Sequence, residues 1–147
     1  MLRPITTLNL PDLAPIADPS VVTGFQSPAD DYKEERLNIM EKLIRDPLNT
    51  YFFEVDSDSM QNFDIRKGTL LVVDRTITPR GGNIVVTWVD GSWLVRQLID
   101  LHGVKKLITG QRNEIPIIID MDAGILIWGV VSWSCSPQML ASGKLRP

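Results

Sequence analysis

Between residues 51 and 134 the chain carries seven short runs rich in β-branched and aromatic side chains, at 51–55, 69–74, 84–89, 92–99, 105–109, 115–119 and 125–134. Runs of this length and composition, separated by Gly, Asp and Asn, predict strands rather than helices. A mainly β body follows. Asp90-Gly91 stands between two of the runs and supplies the backbone conformations of a tight primed turn, so 84–89 and 92–99 are expected to pair as a hairpin. Ahead of the strands, YKEERLNIMEKLIR over residues 32–45 sets Leu37, Met40, Leu43 and Ile44 at helical spacing, with Asp30 and Asp31 as candidate caps and Asp46-Pro47 as the stop. One amphipathic helix is expected there. Residues 1–31 hold Pro4, Pro11, Pro15, Pro19 and Pro28, five of the ten prolines in the chain. Proline removes amide donors and interrupts periodic structure, so this stretch reads as an extended arm and 32–147 as the body.

Composition narrows the function classes. At 147 residues the chain is long enough to bury an ordinary apolar core without metals or disulfides. The formal net charge of −3 argues against a surface that neutralises many phosphates, so direct DNA binding is not expected. Cys135 is the single cysteine and His102 the single histidine, which excludes an internal disulfide and a Cys/His zinc cluster. No metal and no cofactor are expected. The first ten residues lack the apolar core of a signal peptide. The most apolar stretch, 115–133, is broken by Pro116, Asp120, Asp122 and Gly124, so no membrane span is expected and a cytoplasmic setting is the natural reading.

Few residues can carry chemistry. His102 lies beside Gly103 in an expected turn and reads as solvated. Gly81-Gly82 precedes a strand and lacks the following Lys-Ser or Lys-Thr of a phosphate loop. In Asp56-Ser57-Asp58-Ser59-Met60 a serine flanked by acidic residues follows an apolar strand, and strand ends are where side chains are presented to sites. On pattern alone the segment also reads as a polar turn. In Trp93-Leu94-Val95-Arg96-Gln97-Leu98-Ile99, alternation puts Leu94, Arg96 and Leu98 on one face, so a cation is flanked by apolar neighbours. A lysine so placed could lose its proton near neutrality, whereas a guanidinium keeps its charge. The alternative is an arginine paired with a carboxylate at a strand edge.

Four segments, in order, resemble one family. Gly24-Phe25-Gln26-Ser27-Pro28-Ala29-Asp30-Asp31-Tyr32, Ser57-Asp58-Ser59-Met60, Gly68-Thr69-Leu70-Leu71-Val72-Val73-Asp74 and Asp90-Gly91-Ser92-Trp93-Leu94-Val95-Arg96 are similar to the UmuD-like branch of the LexA-like self-cleaving serine peptidases. The likeness covers about residues 20–133. It implies a mainly β peptidase body of the LexA carboxy-terminal, β-clip type, with an extended N-terminal arm and one short helix. It further implies a homodimer, a single cut in the arm when the protein meets a RecA filament on single-stranded DNA, and service of the cut form to an error-prone, UmuC-like DNA polymerase subunit.

Carried over, the nucleophile is Ser59, the scissile bond is Thr23-Gly24, and the general-base lysine of the Ser-Lys dyad falls on Arg96, 37 residues after Ser59. The chain departs from the family pattern at three places: Arg96 for the lysine, Thr23 where Ala or Cys usually precedes the glycine, and Ser57 where glycine is common. A guanidinium does not accept the serine proton at ordinary pH, so self-cleavage is expected to be impaired. Two origins for Arg96 stay open, a replacement that traps the uncut chain and a diverged branch that persists uncleaved. The rival function is a dimeric interaction protein that restrains a polymerase subunit and cuts nothing. A LexA-type repressor is disfavoured because the stretch before the helix is proline-broken and too short for a helix-turn-helix domain.

Overall fold

A computed structural model of the chain describes residues 2–5, 39–120 and 125–139. These residues form eight strands: β1 Leu2–Pro4, β2 Thr50–Val55, β3 Leu70–Asp74, β4 Ile84–Val89, β5 Ser92–Leu101, β6 Val104–Ile108, β7 Ile117–Ile118 and β8 Leu126–Cys135. All join one antiparallel sheet in the order β1-β2-β3-β8-β4-β5-β6-β7. The fold is mainly β, as the seven runs predict. The eighth strand is β1, at the start of the stretch read as an arm, where Pro4 pairs with Phe53 on the sheet edge. Proline is tolerated there because an edge strand has one side without ladder partners.

The strands lie in a unit made of residues 1–5 and 46–147, and the short helix α1, Ile39–Leu43, belongs to a second unit, residues 6–45. Within α1 the amide of Ile44 donates to the carbonyl of Met40 at 2.8 Å. The remainder of the expected helix, including Leu37 and the candidate caps, falls outside the described residues. Asp46 does not prolong a helix but caps a 3-10 turn at Pro47–Asn49, its carboxylate accepting from the Leu48 amide at 3.1 Å and the Asn49 side chain at 2.8 Å. No described helix is long and apolar enough to cross a membrane.

Turn chemistry fixes the hairpins. Asp90 and Gly91 have φ of 48° and 79°, the left-handed pair a primed turn requires, and they set Trp88 opposite Trp93 and Val89 opposite Ser92. His102 and Gly103 repeat the device between β5 and β6 with φ of 52° and 82°. The β8 strand sits centrally between β3 and β4. Its register slips once against each neighbour, at Val72/Val73 and at Val86/Thr87. Such bulges bend a strand and increase its twist. Gly129 lies between them, where a Cβ would stand 2.6 Å from Cγ1 of Val73, so the close approach of β8 to β3 needs glycine.

Successive residues of β4 serve two cores, because side chains alternate across a sheet. Val86 joins Leu2, Phe53, Val55, Met60, Ile65, Leu71, Val73 and Val95 in the larger cluster. Val85 joins Leu98, Leu107 and Val130 in the other. The sheet curls enough for β1 to approach β5, which is how Leu2 and Val95 share one core. Full burial of each such side chain contributes about 1.5–3 kcal/mol.

Candidate active site

Ser59 follows β2 by four residues, in a turn whose geometry is set by its neighbour. Met60 is fully buried in the larger core, so the residue after the serine is anchored while the serine itself stays half-buried. The backbone then winds into a 3-10 turn at Gln61–Phe63, with the Phe63 amide donating to Met60 O at 3.0 Å and Asp64 closing it at φ 58°. On the other side, an Asp58 carboxylate oxygen accepts from the Lys67 amide at 3.0 Å. The Ser57 and Ser59 hydroxyls lie 3.2 Å apart. The departure at Ser57 therefore places a hydroxyl beside the candidate nucleophile.

Arg96 lies in the middle of β5, an inner strand between β4 and β6, and its cross-strand neighbour on β4 is Val85. Leu98, on the same face, is buried with Val85 in the smaller core. Arg96 is thus half-buried against an apolar wall, as the alternation predicts. Its guanidinium donates to the carbonyl of Val95 at 2.7 Å. Burial lowers the Arg96 guanidinium below its ordinary value, and Glu114 raises it in part. Among the described residues no carboxylate forms an ion pair with Arg96 within 4.0 Å.

One loop, residues 109–114 between β6 and β7, is bonded to the Ser59 turn. The Gln111 amide donates to the carbonyl of Ser59 at 3.1 Å, and the Asn62 amide donates to the carbonyl of Gly110 at 2.8 Å. Gly110, at φ 76°, packs so closely on Phe63 that a Cβ would come within 3.1 Å of the ring. Glu114 closes the loop, accepting from the Thr109 amide at 2.6 Å, the Thr109 hydroxyl at 2.6 Å and the Gly110 amide at 2.7 Å. Burial raises the Glu114 carboxyl, but the Thr109 and Gly110 donors, with the Arg96 charge, more than offset that and hold it below the usual carboxylate range. The Ser59 and Arg96 side chains are not hydrogen-bonded to each other: the Ser59 hydroxyl meets that of Ser57, and the Arg96 guanidinium meets the Val95 carbonyl. Thr23 and Gly24 lie outside the described residues. His102 stays exposed in its turn.

Sequence reasoning missed Gln111 and Glu114. The partner of Gln111, Ser59, lies far away in the chain, and Glu114, whose partners Thr109 and Gly110 are its own loop neighbours, had as its one local sign the run of turn-forming residues from Thr109-Gly110 to Asn113 ahead of it.

The peptidase S24-like family model matches residues 15–132. The chain belongs to the peptidase S24-like family. Protein MucA of Salmonella typhimurium is 36% identical over 116 residues, which is 78% of each chain. Protein ImpA of Shigella flexneri is 40% identical over 76 residues, 52% of each chain. Protein SamA of Salmonella typhimurium strain LT2 is 39% identical over 85 residues, 58% of this chain and 61% of its own. With these relatives the S24-like chain is UmuD-like, and its curled sheet is the LexA-type carboxy-terminal body.

Proposed function

We propose that this S24-like chain is a regulator of SOS mutagenesis and translesion DNA synthesis in which Ser59 holds the nucleophile position and Arg96 the position of the general base. It acts as a homodimer in the cytoplasm, is presented to a RecA filament on single-stranded DNA, and partners a UmuC-like error-prone polymerase subunit. The reading draws on the family and on one observation above all: the apolar wall of Val85 and Leu98 that would strip a proton from a lysine amine surrounds an arginine instead.

In the family's reaction, carried over to this chain, a neutral lysine takes the serine proton as the serine oxygen attacks the carbonyl carbon of Thr23. The amine then returns that proton to the leaving nitrogen of Gly24, and water releases the arm from the acyl-serine. Arg96 keeps its proton at working pH and cannot begin this sequence. The uncut chain then persists, and its arm continues to restrain the polymerase. A second reading, a dimeric interaction protein that never cuts, is favoured by the guanidinium donating to the Val95 carbonyl and making no hydrogen bond to Ser59.

Incubation with RecA, nucleotide and single-stranded DNA separates the two. For the Arg96→Lys variant the first reading expects a fragment beginning at Gly24. An Arg96→Lys chain that folds, docks RecA and stays whole favours the second.

A further inference from the structure

Glu114 is not part of the proposed Ser-Lys-type pair, yet it takes three hydrogen bonds from its own loop at 2.6, 2.6 and 2.7 Å. Hydrogen bonds to an ionised carboxylate are about twice as strong as neutral ones, so these define the loop's shape more firmly than a neutral side chain would. The same loop is bonded to the nucleophile turn in both directions, Gln111 to Ser59 O and Asn62 to Gly110 O. Gly110 against Phe63 leaves no slack between them.

We infer that Glu114 is a positioning residue: its carboxylate staples the 109–114 loop, through which it orients the Ser59 turn. The inference rests on the proposed roles of Ser59 and Arg96 for its catalytic consequence, but the staple itself stands on the hydrogen bonds alone. Glu114 thus fixes where the turn that carries the serine sits.

Two measurements test this. Amide hydrogen exchange compares the unaltered chain with Glu114→Gln. Protection is expected to fall at Thr109 and Gly110 and also at Phe63 and Asp64 in the nucleophile turn, with β2 and β3 unchanged. A fall confined to Thr109 and Gly110 overturns the staple. In an Arg96→Lys background, the rate of self-cleavage is then followed at alkaline pH. Glu114→Gln is expected to slow it about 10- to 100-fold through a misplaced serine, and Glu114→Asp to restore most of the rate. An unchanged rate in Glu114→Gln overturns the orienting role. If Arg96→Lys itself does not cut, the proposed dyad fails, and the exchange pattern alone decides whether the staple holds.

Discussion

A lysine and an arginine at position 96 would both carry a proton; they differ in whether they can release it. The Arg96 site is half-buried against Val85 and Leu98, which disfavours a charge, yet the guanidinium keeps its proton and finds an acceptor in Val95 O. Glu114 makes a complementary statement at low pH. Its carboxyl is held below the usual range in the folded chain, so it stabilises the fold above its unfolded value and this contribution is lost as the pH falls through the folded value. In Glu114→Gln that acid-dependent loss is expected to be smaller, as read from urea midpoints between pH 7 and pH 3. An equal loss in both proteins would remove Glu114 from the account. Gly129 offers a steric test, because a methyl there meets Val73 Cγ1 at 2.6 Å. Gly129→Ala is expected to destabilise by about 1–3 kcal/mol in thermal or denaturant unfolding.

The elements were legible where local chemistry decides them. Asp90-Gly91 announces its hairpin because only residues tolerant of positive φ fit both turn positions, and Gly91→Ala is expected to cost about 1–2 kcal/mol by chemical denaturation with no clash to add to it. The alternation around Arg96 was equally readable. What was not readable depended on distant partners. The last expected strand but one shrinks to Ile117–Ile118 because Pro116 lacks an amide and Ile115 is left almost wholly exposed, at 91%. The two bulges of β8 follow from pairing with β3 and β4 at once, which no window of 125–135 contains. Among proline-rich neighbours, Leu2-Arg3-Pro4 gave no strand signal; it is recruited by Leu2 entering the core and by pairing with β2. The Arg3–Glu54 bridge across that pair is exposed, so Arg3→Ala is expected to change stability by less than about 1 kcal/mol, whereas Leu2→Ala is expected to cost about 2–5 kcal/mol.

For the whole molecule, the sheet is a frame that brings a turn after β2 and the loop after β6 into contact, segments that the sequence shows as unrelated fragments. The β8 run, apolar on both alternating faces, is a central strand within the chain, and Leu126 remains exposed beside an exposed Trp88 on β4. A homodimer is expected by sedimentation at micromolar concentration, and a monomer throughout that range would count against the proposed assembly.

The central claim is that a UmuD-like peptidase body is present and silenced at one side chain. The most direct measurement is the mass of the products after incubation with RecA, nucleotide and single-stranded DNA, for the unaltered chain and for Arg96→Lys, across neutral to alkaline pH. The account predicts an intact unaltered chain at every pH. For Arg96→Lys it predicts a fragment starting at Gly24, formed about 10²- to 10⁴-fold faster and accelerating with pH until the amine is neutral. Ready cutting of the unaltered chain at Thr23-Gly24 would contradict it, because Arg96 would then not occupy the place of the base.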